Sequence, residues 1–333
     1  MQENWLQIVG NFSTEQDYVL ATIVATKGST YRKTGTMMLI SAQGQCTGLL
    51  SGGCLEADIA LHAQEVLREN HTKLLTYDLK ADADLLWGLG LGCDGAIDIY
   101  LQPLTKINNH LNFVSLLKAV QQRQSGYYCQ QVEDKSAGMA EFITASNDFD
   151  HDNIQRELPE GDWLITPVTP VFSLLVCGAG PDVAPLVTMI EQLGWRVTLQ
   201  DHRQAYLDQP AFAHCFAKRK LRPEQSNAGD YQGFDAVVVM THNLNNDGEI
   251  LKHALAANIG YIGLLGPAGR RDKLLNALSL TASDVQQQVF APIGLNIGGR
   301  SPQAIALSIC AEIQQFISHQ FQSSQIKSWR IQQ

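Results

Sequence analysis

The sequence has no CxxC pair, no HExxH helix, no Walker loop and no readable Ser–His–Asp set. These absences remove zinc fingers, zincin peptidases, P-loop nucleotidases and triad hydrolases from consideration. No apolar run approaches the ~20 residues of a membrane span, so no membrane partner is expected. Basic residues are scarce, with 24 Lys and Arg against 33 Asp and Glu and a net charge of −9. That balance argues against nucleic acid, whose phosphates call for a basic surface. The seven cysteines (Cys46, Cys54, Cys93, Cys129, Cys177, Cys215 and Cys310) lie far apart, and their odd number suggests no disulfide framework. The start, MQENWLQIVGNFSTEQD, lacks the basic-then-apolar pattern of a secretory leader. A cytoplasmic protein with reduced thiols is the expectation.

What is present is 45% apolar in 333 residues, enough for two cores. Residues 1–105 read as α+β. Tyr18–Thr26 is a β-branched run, MMLISAQG and QCTGLLSGG resemble two strands turning near Gly44, and Leu55–Arg68 has helical periodicity. LLTYDL and AIDIYLQPL read as further strands. Residues 106–170 are expected to bridge the domains, with a helix over Asn108–Gln122 and a hairpin at Tyr127–Gln131 and Ala140–Ala145. From residue 171 to 333, apolar strands (FSLLVC, RVTLQD, HCFA, DAVVVMT, YIGLLG) alternate with helices at Ala184–Leu193, Asp247–Ala257 and Gly269–Ala277. That alternation predicts an α/β fold with a doubly wound, Rossmann-like parallel sheet.

Three glycine-rich segments carry the chemistry. GAGPDVA follows an apolar strand and precedes a helix, so Gly178 suits the tight turn and Gly180 the close approach of a phosphate. Asp201 ends the next strand, 21 residues beyond Gly180, where an acid could hold a ribose hydroxyl. The SGGC loop sets Gly52, Gly53 and Cys54 at a helix N-terminus, whose dipole favours a thiolate, although Glu56 and Asp58 oppose this. WGLGLGC ends in Gly92 and Cys93. For Cys54 and Cys93 a ligand contact and a buried small hydrophobe are equal readings, and the other five cysteines read as buried. In GSTYRKTG, Arg32 and Lys33 suit an oxyanion, although a charged turn is most often simply solvated. His242, at a strand's C-terminal end, reads as a ligand contact or a local hydrogen-bonding group. Arg270 and Arg271 meet an anion or open a solvated helix, and Ser301 with Pro302 starts a helix.

Taken in order, GSTYRKTG, SGGCLEAD, WGLGLGC, LLVCGAGPDV, GWRVTLQDHR, MTHNLNND, YIGLLGPAGRR and PIGLNIGGRSP resemble the XdhC/CoxI family, accessory proteins that mature xanthine dehydrogenase and related molybdenum hydroxylases. The resemblance implies an N-terminal XdhC/CoxI domain, a C-terminal Rossmann domain and binding of molybdenum cofactor. It further implies a chaperone, not an ordinary enzyme, that holds the cofactor while a cysteine desulfurase adds a terminal sulfur. Delivery to an apo molybdenum hydroxylase follows, and a homodimer is compatible with the role. By the same analogy Cys54 and Cys93 contact the cofactor or its metal, while Gly178, Gly180 and Asp201 line the Rossmann crevice. The rival reading is an NAD(P)-dependent oxidoreductase using the same crevice. It leaves both glycine–cysteine loops unexplained.

Overall fold

The computed structural model describes residues 5–78, 95–145, 154, 158–323 and 329–332, and it divides into two compact units. The first unit comprises Met1–Pro170 and Ile326–Gln333, and the second Val171–Gln325. The segment expected as a bridge, residues 106–170, therefore clusters with residues 1–105. The chain's last strand returns to that same unit.

In the first unit, α1 (Trp5–Asn11) leads into β1 (Tyr18–Lys27), β2 (Met37–Ser41), β3 (Cys46–Thr47), α2 (Glu56–Glu69), β4 (Lys73–Asp78) and β5 (Ala96–Leu104). The strands form one antiparallel sheet in the order β3-β2-β1-β5-β4. Alternate residues Val19, Ala21 and Ile23 of β1 and Ile97, Ile99 and Leu101 of β5 meet Ile59, Ala63 and Val66 of α2. The intervening residues are buried as well, which is why β1 reads as a continuous apolar run.

Their cover is a second antiparallel sheet. Following α3 (Phe113–Gln121) come β6 (Gly126–Gln131), β7 (Ala140–Thr144) and β8 (Asp162–Val168), and β15 (Trp329–Gln332) adds to β8. Leu164 packs on Val24 and Tyr100, and the Gln130 amide donates to Thr22 Oγ1 at 3.0 Å and Gln102 Oε1 at 2.6 Å. A buried polar bridge thus fixes the register of the two sheets.

QCTGLLSGG is not the full strand expected. Gly48 has φ +104, and a Cβ there would lie 3.0 Å from Met37 O, so pairing stops after Thr47. The helix expected from Asn108 begins only at Phe113. Asn109, His110, Leu111 and Asn112 are all left-handed, held by Tyr128 Oη donating to Leu111 O and by the Asn112 amide donating to Ala140 O.

In the second unit the order is β9 (Ser173–Cys177), α4 (Ala184–Gln192), β10 (Arg196–Asp201), α5 (Gln204–Leu207), β11 (Ala217–Lys220), β12 (Ala236–Val239), α6 (Leu244–Ala256), β13 (Tyr261–Leu264), α7 (Ala268–Ala277), α8 (Ala282–Val285), β14 (Val289–Phe290) and α9 (Pro302–Ser323). All six strands run parallel in the order β11-β10-β9-β12-β13-β14. The order reverses between β9 and β12, so the C-terminal ends of those strands open a crevice there. Leu174 and Val176 of β9 point into one apolar cluster and Leu175 and Cys177 into the other. A sheet covered on both faces follows, as the alternating sequence predicts. The third strand is Ala217–Lys220 rather than HCFA, because three successive cations, Lys218, Arg219 and Lys220, disguise a sheet edge as a solvated turn.

Candidate functional site

Each unit holds its own set of candidate residues. In the first, Arg32 lies in the turn between β1 and β2, and Gly52, Gly53 and Cys54 lie in the loop before α2. The two segments meet: a Cβ on Gly52 would lie 3.8 Å from the ring of the exposed Tyr31. Gly95, at the start of β5, faces the same turn so closely that a Cβ would fall 2.4 Å from Ser29 O. Asp78 pairs with Ala96, so both flanks of residues 79–94 reach this end of the sheet. Gly92 and Cys93, with the rest of WGLGLGC, lie outside the described residues.

The residue that shapes the SGGC loop is Glu56, read in sequence only as an acid opposing a thiolate at Cys54. Its Oε1 accepts the N–H groups of Leu50 at 3.0 Å and Ser51 at 2.8 Å. Its Oε2 accepts Ser51 Oγ at 2.5 Å and Gly53 N–H at 3.0 Å. Ser51 Oγ in turn accepts Leu55 N–H at 2.9 Å. Gly52 (φ +83) and Gly53 (φ +107) supply the left-handed backbone that folds the amides inward onto this carboxylate. Burial raises the Glu56 pKa, but the hydrogen bonds from the Ser51 hydroxyl and the loop amides outweigh it, so the carboxyl sits below its ordinary range. Cys54 is half-buried against the α2 core, its Sγ 3.3 Å from Ser51 O.

Glu56→Gln puts an NH2 against the Gly53 and Ser51 donors and is expected to weaken the loop by roughly 1–3 kcal/mol. Iodoacetamide should then alkylate Cys54 several-fold faster, as read by peptide mass mapping. An unchanged rate would show that Glu56 does not hold the loop. Because the carboxyl is depressed, its support is complete above the unfolded value near 4.3 and is lost as pH falls through the lower folded value. The wild-type loop should therefore loosen only below about pH 4.

In the second unit Gly178, Gly180, Asp201 and His242 do gather around the crevice. Gly178 (φ +115) donates its N–H to Gln200 O at 2.8 Å, and a Cβ there would lie 2.4 Å from Met240 O. Asp201 is buried and fully engaged. Its Oδ2 accepts Ala179 N–H at 2.9 Å and Arg203 Nη2 at 2.8 Å, while Oδ1 accepts Arg203 N–H and Nε, both at 2.9 Å. Those four donors fill the carboxylate's acceptor sites, leaving none for a ribose hydroxyl. Burial opposes the charge, yet the Arg203 side-chain and backbone bonds prevail and hold the Asp201 pKa below its usual value. Arg203 itself stacks 3.7 Å from the Tyr206 ring centroid. A shallow cleft beside this pair is lined by Gly178, Gln200, Arg203, Leu221, Thr241 and Asn246, among others.

Asp182 is the group that sequence reading missed. A Cβ on Gly180 would lie 2.5 Å from Asp182 Oδ1, so this carboxylate covers the glycine expected to admit a phosphate. His242, left-handed at φ +60, hydrogen-bonds the other oxygen of Asp182 at 2.9 Å. A spacing of 60 residues concealed the pair. Arg270 is likewise spent within the unit: its Nη2 lies 2.5 Å from Oδ2 of the buried Asp247, which also accepts Thr241 Oγ1.

Among the remaining thiols, burial pushes Cys177 and Cys310 up to about 12 and Cys215 up to about 11, which suits unreactive packing groups. Cys46, expected among the buried thiols, is exposed on the edge strand β3. Among the described residues no cluster of three or more His, Cys, Asp or Glu could hold a metal ion, and no helix is long and apolar enough to cross a membrane.

Comparison with known proteins agrees with this two-part organisation. Residues 13–78 match the XdhC and CoxI family and residues 174–313 the XdhC Rossmann domain. A Bacillus subtilis protein named as a probable component of xanthine dehydrogenase is 33% identical over 92% of this chain and 97% of its own length. An Escherichia coli protein named molybdenum cofactor insertion chaperone PaoD is 22% identical, covering 92% of this chain and 85% of that one. A solved Bacillus halodurans structure described as a xanthine dehydrogenase superposes with a TM-score of 0.79 at 29% identity over 96% of both chains. Fold and crevice define a two-unit protein with a Rossmann-type second half. The chain belongs to the XdhC/CoxI family.

Proposed function

We propose that this chain carries molybdenum cofactor as cargo and inserts it into an apo molybdenum hydroxylase of the xanthine dehydrogenase type. The names of its relatives support that role, one as a cofactor insertion chaperone and one as a component of xanthine dehydrogenase. The observation that carries the reading is the SGGC loop, where the half-buried thiol of Cys54 adjoins exposed glycine backbone and the Tyr31–Arg32 turn. A soft sulfur suits a dithiolene-held metal, and Arg32 supplies positive charge for the cargo's phosphate. In this reading Cys93 is the second sulfur contact, with Gly52, Gly53 and Gly92 giving room for close approach. A cysteine desulfurase loads the terminal sulfur before insertion.

Hydride transfer from NAD(P) is the weaker reading. Asp201 has no acceptor site left for a ribose, and Asp182 places negative charge over Gly180, where a pyrophosphate would need to lie. We assign Gly178, Gly180, Asp201 and His242 to shaping the crevice.

The test is reconstitution of an apo-hydroxylase with cofactor-loaded chain. Wild type is expected to restore activity in the presence of a competing cofactor scavenger, and Cys54→Ala and Cys93→Ala to restore about tenfold less. Equal restoration by wild type and both variants would remove the thiols from the mechanism.

A further inference from the structure

The outer edge of the parallel sheet has a composition unlike the rest of this acidic chain. β11 is the terminal strand, paired with β10 through Thr198↔Ala217 to Asp201↔Lys220. Lys218 and Lys220 occupy alternate positions of the strand and are exposed, as is Phe216 in the bend immediately before it, to 60%. Arg219, between the lysines, turns inward, donating to Gln200 Oε1 and to Asp230 O at 2.6 Å. Arg222 is also exposed but pairs with Glu224 at 3.6 Å. No acid occurs from Phe216 to Pro223, although acids outnumber bases 33 to 24 in the whole sequence. Neither lysine is ion-paired among the described residues.

Lysines on an edge strand also guard against unwanted pairing. Here the strand is only four residues long, which already limits pairing, and a guard would not need an exposed aromatic at the strand's entrance. The Phe216 ring is held in place, with the guanidinium of Arg196 4.3 Å from its centroid. A fixed aromatic followed by two free cations at a period of two is the complement of an extended strand bearing an apolar side chain and then two acids.

We propose that the free edge of β11, with Phe216, Lys218 and Lys220, docks an extended acidic segment of a protein partner by strand addition. Backbone hydrogen bonds to β11 supply affinity and the alternate side chains supply selectivity. Nucleic acid, the other polyanion, is disfavoured by the net charge of −9. The surface stands independently of the cargo. Under the function proposed above, the partner is the apo-hydroxylase.

The test uses the full chain and a fluorescein-labelled peptide whose alternate positions are Val, Glu and Glu, separated by threonines. Its anisotropy should report binding that weakens about tenfold between low and high salt. Lys218→Glu with Lys220→Glu should lose at least tenfold in affinity and Phe216→Ala several-fold, with amide shifts in the wild type centred on Phe216–Lys220. Both lysines are exposed and not ion-paired among the described residues, circular dichroism of each variant checks folding, and cofactor content read on the same variants separates this surface from the cargo site. Equal binding of the matching lysine peptide, unchanged affinity in the double variant, or stronger competition by a single-stranded oligonucleotide would overturn the proposal.

Discussion

Gly178→Val is expected to destabilise the second unit more than any other single change considered. The new Cβ would lie 2.4 Å from Met240 O and 2.7 Å from Met240 C, both backbone atoms. Met240 cannot retreat, because its N–H is hydrogen-bonded to Cys177 O at 2.8 Å. The φ of +115 adds strain that a β-branched residue bears badly. The expected cost is about 4 kcal/mol or more, placing this among the exceptional substitutions. For a unit of this size that corresponds to a fall of roughly 10 °C in the calorimetric Tm. Gly53→Ala provides the contrast. Its Cβ would meet nothing within 4 Å, so only the left-handed φ is penalised, at about 1 kcal/mol. Similar Tm values for the two variants would contradict the packing described around the crevice.

Asp201→Ala carries the second large effect. It strips a partner from the Ala179 N–H and from three donors of Arg203 at once. Breaking a buried charged pair costs about 3–5 kcal/mol. Arg203 is 39% exposed in its side chain and regains water, so about 2–3 kcal/mol is expected. The sign with pH follows from the depressed pKa. Stability from Asp201 is complete above its unfolded value near 3.9 and is lost as pH falls through the lower folded value. Wild type and Asp201→Ala should therefore converge in stability below about pH 4, as read by denaturant titration across pH. A constant gap down to pH 2 would show that the carboxylate's charge is not what matters.

Most of the second unit's sheet was legible in sequence because its strands, the cationic β11 apart, are short apolar runs separated by helical periodicity, and Gly178 follows the first of them. The partners were not. Nothing local says that Asp182 turns onto Gly180 and His242, or that Arg203 folds back on Asp201, because those contacts exist only after β9, β10 and β12 are side by side. Glu56 was visible as an acid in the first turn of α2, but its grip on three loop amides depends on two left-handed glycines. Periodicity also failed at Asn109–Asn112, where tertiary hydrogen bonds impose a left-handed turn on a helix-compatible sequence. The last strand joined the first unit because β8 had an open edge, which its own sequence does not record.

The cargo claim is tested most directly by purifying the full chain under reducing, anaerobic conditions and measuring molybdenum and fluorescent oxidised pterin together. Both are expected at about one per chain in wild type and markedly reduced in Cys54→Ala. A chain that retains neither after exposure to excess cofactor, or that releases a nicotinamide dinucleotide instead, would contradict it.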